Sequence, residues 1–198
     1  FLCGSAAAGI ESGPVFWTTI LSALALMTLG AADDWIKRTT ERKGLTARQK
    51  LVGQILIGGL ASIGICFTRG AAGSGLDSLP ALFIVWSTFV IIGTSNAVNL
   101  TDGLDGLASG CTIVTASGLA FILMMGVPDE RSLADVRQAT VLLLALAGSC
   151  TGFLWFNRHP ARVFMGDAGS LPIGGILAIA SLSSRLELLL AIAGGVFV

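Results

Sequence analysis

The chain has 198 residues, of which 54% are hydrophobic, 12% are charged and 26 are glycine, with a formal net charge of zero. A soluble domain carries about 25% charged residues. This composition therefore excludes disorder, which needs low hydrophobicity and high charge, and argues against a soluble globular domain, whose surface so few charges could not cover. With no basic excess there is no support for nucleic acid as a partner. What remains is an all-α, polytopic integral membrane protein.

Uncharged stretches mark the crossings in chain order: 12–32, 51–68, 78–101, 106–128, 138–157 and 168–184, then a seventh at 188–198. A helix needs about 20 residues, with a range of about 17–25, to span the hydrocarbon. The first five meet this comfortably and the sixth sits at the lower limit. Strands of a barrel would alternate in polarity every second residue, and no such alternation is present. The chain opens on Phe1 and closes inside the apolar run 193–198. It reads as one transmembrane domain, residues 1–198, cut at both ends from a longer protein. Cys3, Cys66, Cys111 and Cys150 form no C-x-x-C pair and read as small buried hydrophobes.

Counting crossings sorts the loops onto two faces. Loops 33–50, 96–107 and 157–170 share one face, which carries eight of the 12 lysines and arginines. Loops 69–77, 127–137 and 185–187 share the other. Positive charge favours the cytoplasm, so the first face is expected there. Gly148 and Gly152, spaced G-x-x-x-G, predict close helix packing.

Five aspartates crowd the first face in three glycine-punctuated clusters. Asp33 and Asp34 end the first crossing. Asn96, Asn99, Asp102 and Asp105 recur every third residue after the third crossing, which puts them on one side of a helix or 3₁₀ turn. Gly103 and Gly106 between them allow close approach of a ligand. Asn157, His159 and Asp167 follow the fifth crossing. Ser170 and Pro172 read as a helix start, whose N-terminus would favour a phosphate, and Asp167 beside it could hold a divalent cation with oxygen ligands. Acids on the other face are scattered among ordinary loop residues. The basic loop 37–50, with six cations and one acid (Glu41), suits recognition of phosphate or of anionic lipid headgroups, or topological anchoring.

Four strings carry a family resemblance: Asp33-Asp34-Trp35-Ile36-Lys37, KGLTARQKLVGQ from Lys43 to Gln54, NAVNLTDGLDGLA from Asn96 to Ala108, and PARVFMGDAGSL from Pro160 to Leu171. Together they resemble the polyprenyl-phosphate N-acetylhexosamine-1-phosphate transferases, over residues 14 to 184. Lys37 after the aspartate pair is similar to the branch whose donor is UDP-N-acetylmuramoyl-pentapeptide, since relatives using UDP-N-acetylglucosamine usually carry an acid there. The resemblance implies an intact enzyme of about ten crossings, about seven of them here, in a bacterial inner membrane with its site facing the cytoplasm. It implies transfer of the phospho-sugar to undecaprenyl phosphate, a requirement for Mg²⁺, and a homodimer. Carried over residue by residue, it makes Asp33, Asp34 and Asp167 catalytic and Asp167 the magnesium ligand. It puts Lys37, Asn99, Asp102, Gly103, Leu104, Asp105, Asn157, Phe164 and Ser170 on the substrate, with Phe164 stacking on uracil and Asp105 accepting a base N–H. The family's two N-terminal crossings and its late histidine-rich loop have no counterpart in this sequence. His159 does not belong to that loop and reads as a boundary residue beside Asn157.

Two other readings stand beside this one. A sister transferase would use UDP-N-acetylglucosamine with the same chemistry. A carrier would place its acids near the membrane midplane in two related halves, whereas these acids lie at crossing ends and no halves are evident.

Overall fold

The computed structural model describes residues 13–40, 44–69, 79–126 and 133–197. Cys3, Glu11, Glu41, Arg42, Lys43, Asp77, Asp129, Glu130 and Arg131 lie outside the described residues. Seven α-helices make up the described fold: α1 (Pro14–Thr39), α2 (Ala47–Arg69), α3 (Pro80–Thr101), α4 (Leu107–Met125), α5 (Leu133–Asn157), α6 (Gly166–Ser183) and α7 (Glu187–Gly194). Among the described residues there is no strand. The first five helices are long and apolar enough to cross a membrane. Pro14 and Pro80 stand in the first turns of α1 and α3, where a missing N–H costs nothing and the fixed φ suits a helix. Lys37 and Arg38 close α1, where cations favour the negative end of the dipole.

α6 is the centre of the bundle. It packs on α1, α3 and α5, and nearly all its residues from Ser170 to Ser183 are buried. At 18 residues it is the shortest of the six long helices, and it needs no lipid-facing side because other helices surround it. Backbones approach closely there. A Cβ on Gly30 of α1 would stand 2.2 Å from the Asp167 carbonyl oxygen, and one on Gly174 of α6 would stand 2.5 Å from Ser95 Cα of α3. The expected packing pair, Gly148 and Gly152, is different: among the described residues nothing lies within 4 Å of a Cβ at either position. Small residues pack α6 inside the bundle, while the G-x-x-x-G stretch faces outward on α5.

The outer surface is apolar. Leu21, Leu56, Leu60, Phe67, Val85, Phe89, Val114 and Phe121 are all exposed, as helices against lipid require, since lipid tails are as apolar as leucine. The predicted seventh stretch divides into α7, only eight residues long, and a 3₁₀ turn at Gly195–Phe197. Thr101 Oγ1 donates to the Phe197 carbonyl at 2.7 Å, fastening this turn to the end of α3. The connections after α1, α3 and α5 all meet at one end of the bundle, as the crossing count expects. Cys150 is buried, and Cys66 and Cys111 are half-buried.

Candidate active site

Four helices bring their ends to one polar cluster. α1 supplies Asp33, Asp34 and, one turn on, Lys37. α6 supplies Asp167 in its first turn. One carboxylate oxygen from each of Asp33, Asp34 and Asp167 lies within 4.8 Å of the others, and Asp33 and Asp167 are buried. Like charges this close cannot stand alone. Lys37 Nζ lies 2.5 Å from Asp33 Oδ2, 3.6 Å from Asp34 Oδ1 and 3.2 Å from Asp167 Oδ2. From α2, Lys50 Nζ lies 2.7 Å from the same Asp167 oxygen. The other Asp167 oxygen accepts from Asn99 Nδ2 of α3 at 2.7 Å.

Backbone groups fix the carboxylates further. Leu45 N donates to Asp33 Oδ1 at 2.6 Å, and Ala168 N donates to Asp34 Oδ2 at 3.0 Å. Both contacts depend on glycine. Gly44 has φ +98° and Gly166 has φ +65°, a region that L side chains rarely adopt. A Cβ at Gly44 would lie 2.6 Å from Asp33 Oδ1, and one at Gly166 would lie 2.7 Å from Asp34 Oδ2.

The start of α6 corrects the sequence reading. The helix begins at Gly166, with no side-chain cap from its preceding residue, so Ser170 is not its cap. An acid from another helix does that work: Asp34 accepts the first-turn N–H of Ala168. Ser170 lies inside the helix, where its Oγ donates to the Gly166 carbonyl at 2.8 Å and accepts from Asn99 Nδ2 at 2.8 Å. Pro172 is likewise internal.

The every-third-residue series divides along its length. Asn96 exchanges hydrogen bonds with Gln54 of α2, at 3.2 and 3.1 Å. Asn99 reaches Asp167 and also accepts from Lys50 Nζ at 3.2 Å. Lys50 and Gln54 are one turn apart on α2, as Asn96 and Asn99 are on α3. The two cross-helix pairs are therefore stacked rungs, the upper one touching Asp167. Asp102 ends α3 half-buried. Burial pushes its carboxyl up to about 6 against a hydrogen bond from the Gly166 backbone, with Asp167 and Asp34 adding to the rise. Gly103 and the exposed Leu104 form the turn that follows.

Asp105 leaves the cluster. Its Oδ2 accepts from Ala161 N at 3.1 Å and lies 3.1 Å from His159 Nδ1, so His159 is a partner of this loop. Asn157, buried at the end of α5, ties three segments together. Its Oδ1 accepts from Gly106 N at 3.1 Å and Ser109 Oγ at 3.3 Å, while its Nδ2 donates to the Val163 carbonyl at 2.9 Å. Phe164, 74% exposed, presents a ring with open faces beside this junction.

Sequence reasoning counted Lys50 only among loop cations and did not single out Gln54, Gly30, Gly44 or Gly166. The i, i+4 spacing of Lys50 and Gln54 opposite Asn96 and Asn99 was the available signal for the rungs. Gly44 and Gly166 lie inside the motif strings, but no local pattern sets them apart from the other glycines there, since their role is proximity to carboxylates from elsewhere in the chain.

A polytopic helical bundle with a charged, preorganised site at one end is the architecture of a membrane-embedded protein that handles polar groups at the bilayer boundary. Residues 16–185 match glycosyl transferase family 4, and the chain belongs to that family. It is similar to phospho-N-acetylmuramoyl-pentapeptide-transferase from Streptomyces coelicolor, 40% identical over 96% of this chain and 60% of the relative. It is also similar to the proteins of that name from Desulforamulus reducens, 42% identical over 86% of this chain and 52% of the relative, and Desulforudis audaxviator, 41% identical over 100% of this chain and 64% of the relative. The chain thus spans between about half and two thirds of the length of these curated relatives.

Proposed function

We propose that this protein transfers phospho-N-acetylmuramoyl-pentapeptide from its UDP-linked form to undecaprenyl phosphate, giving lipid I and UMP, on the cytoplasmic face of a bacterial membrane. The observation that carries this reading is the convergence of Asp33, Asp34 and Asp167 within 4.8 Å, under two lysines, at the boundary of a helical bundle whose named relatives are such transferases. In the reaction a lipid-phosphate oxygen forms a bond to the sugar-bearing phosphorus, and the bond from that phosphorus to the UMP oxygen breaks.

The donor set fits a magnesium ion. Three carboxylates are hard oxygen ligands of the kind Mg²⁺ takes together with substrate phosphates, and the cluster already draws two ammonium groups onto the same oxygens. Asp167, supported by Asp33 and Asp34, would hold the ion, which when bound neutralises diphosphate charge. The chain's own groups do the rest. Lys37 and Lys50 supply positive charge at the phosphates, and Asn99 and Ser170 orient Asp167. A phosphate monoester is largely a dianion at pH 7, its second pKa being about 6. Asp33 and Asp34 therefore act by positioning and electrostatics, which govern phosphoryl transfer, ahead of proton abstraction.

The exposed Phe164 ring stacks on the base, Asp105 accepts a base N–H, and Gly103, Leu104 and Asn157 shape the nucleoside region beside Asp102. A few isoprene units of the prenyl chain lie along an apolar groove of about 270 Å³ between α3 and α7, lined by Trp86, Phe89, Val90, Leu188, Leu190 and Phe197. Its Phe197 end is bonded to Thr101, next to Asp102, so a chain lying there brings its phosphate toward the cluster.

The test is an assay of membranes carrying the full-length protein with each labelled UDP-sugar and undecaprenyl phosphate. Lipid-linked product from the muramoyl-pentapeptide donor alone is expected. Product from UDP-N-acetylglucosamine instead would assign the sister reaction, and the absence of both products would overturn the reading.

A further inference from the structure

A polar cavity lies at the same end of the bundle, beyond the carboxylate cluster. It measures about 240 Å³ and is lined by Trp155, Phe156, Arg158, His159, Pro160 and Arg162. We propose that it binds the phosphate of an anionic phospholipid from the surrounding leaflet.

Three features carry this. The first is unspent positive charge. Among the described residues no carboxylate lies within ion-pair distance of Arg158 or Arg162. The acid of the neighbouring loop, Asp105, has one carboxylate oxygen engaged by His159 and Ala161. Two guanidinium groups around one cavity suit a phosphate, which they grip through paired N–H donors.

The second is preorganisation. Arg162 N donates to the Phe156 carbonyl at 2.9 Å, and Arg158 N to the Leu154 carbonyl at 2.9 Å. Arg158 Cζ stands 4.5 Å from the centroid of the Trp155 ring, a cation–π contact that holds the side chain at the rim. The loop is built before any ligand arrives.

The third is depth, and it selects a lipid over a soluble anion. Trp155 is 66% exposed and Phe156 51% exposed on the last turn of α5, a helix long and apolar enough to cross the membrane. Tryptophan at such a position lies at headgroup level, and basic pockets at helix ends are where anionic headgroups settle. A phosphate held here keeps its glycerol and acyl chains alongside the aromatic rings. The same loop is fastened to Asp105 by two hydrogen bonds, so a bound lipid steadies the turn that carries Asp105.

The test is native mass spectrometry of the full-length protein in detergent, titrated with phosphatidylglycerol or phosphatidylcholine. It needs no nucleotide sugar, so its outcome is separate from that of the transferase reading. Phosphatidylglycerol is expected to bind preferentially, and Arg158→Gln with Arg162→Gln to weaken that binding about thirtyfold. The charge-matched pair Arg38→Gln with Arg48→Gln, at exposed positions on the same end, is expected to leave it unchanged. Should the glutamine pair fail to fold by thermal unfolding, Arg158→Lys with Arg162→Lys takes its place. That pair keeps the charge, loses the fork, and is expected to weaken binding about threefold. Equal binding of phosphatidylcholine would overturn the proposal. So would an equal loss in the Arg38/Arg48 pair, unchanged binding in the Arg158/Arg162 variants, or displacement of the lipid by millimolar inorganic phosphate.

Discussion

Two helix N-termini in this bundle are satisfied by a side chain from a different helix, and they do it in opposite ways. At the far end, Gln138 of α5 accepts the first-turn N–H of Phe16 in α1 through its neutral Oε1, at 3.1 Å. At the near end, Asp34 of α1 accepts the first-turn N–H of Ala168 in α6. A neutral amide is enough to satisfy a buried N–H. The near end uses a carboxylate, sets two more within 4.8 Å of it, and then needs two lysines to balance them. Charge beyond what capping requires sets the near end apart from the far end, and it supports the proposed handling of a charged ligand there.

That contrast is open to direct attack. The largest expected effect is at Asp167. In the full-length protein, Asp167→Asn should lower the rate of lipid-linked product formation by about 10²–10³-fold, read with labelled donor in membranes at a temperature where the variant is folded, since Lys37 and Lys50 lose a buried partner as well. An undiminished rate would remove the electrostatic account of the near end.

Gly166→Ala comes next. The new Cβ meets Asp34 Oδ2 at 2.7 Å on a backbone of φ +65°, so Asp34 must move. Misplacement on this scale can cost about 10²-fold in rate. A loss of kcat of at least about tenfold is expected, with KM for the nucleotide sugar changing less.

A matched pair of amide deletions sharpens the comparison. Gln138→Leu and Gln54→Leu each remove a cross-helix hydrogen-bond partner, that of the Phe16 N–H and that of the half-buried Asn96 amide, and each should lower stability by about 1 kcal/mol, measured by thermal unfolding in detergent. Only Gln54→Leu should also lower kcat below the unfolding temperature, because the Gln54–Asn96 rung supports Lys50 and Asn99 at Asp167. Equal kcat in the two variants would make the rung merely structural.

The smallest effect is a pH dependence. Asp102 is raised from 3.8 to about 6 by burial first, then by Asp167 and Asp34. Between those values the folded protein binds more protons than the unfolded chain, so this group's contribution to stability is fully present below the lower value and is lost as pH rises through the upper one. Relative to the native protein, Asp102→Asn should therefore gain stability as pH rises through about 6, without nucleotide or magnesium. The gain is held to about 1 kcal/mol because Asp102 is half-exposed and solvent screens it. A stability difference independent of pH would show that Asp102 is not perturbed.

Much of this molecule was legible in its residues alone. Uncharged runs of helix-spanning length reveal the crossings, because hydrocarbon tolerates neither unpaired backbone groups nor many charges, and counting them places every aspartate cluster at one end. The motif strings contain the three acids, Asp33, Asp34 and Asp167, that the fold gathers, and also Asp105, which the fold sets apart with His159 and Ala161. The tertiary structure alone decided which of those residues touch. Distances between α1, α3 and α6 are set by the packing of backbones at Gly30 and Gly174, and a local pattern carries no information about partners fifty to more than a hundred residues away. For the same reason the sequence put a serine cap at the start of α6 where the fold uses Asp34, and it could not foresee that Lys50 would pair with Asp167 or His159 with Asp105.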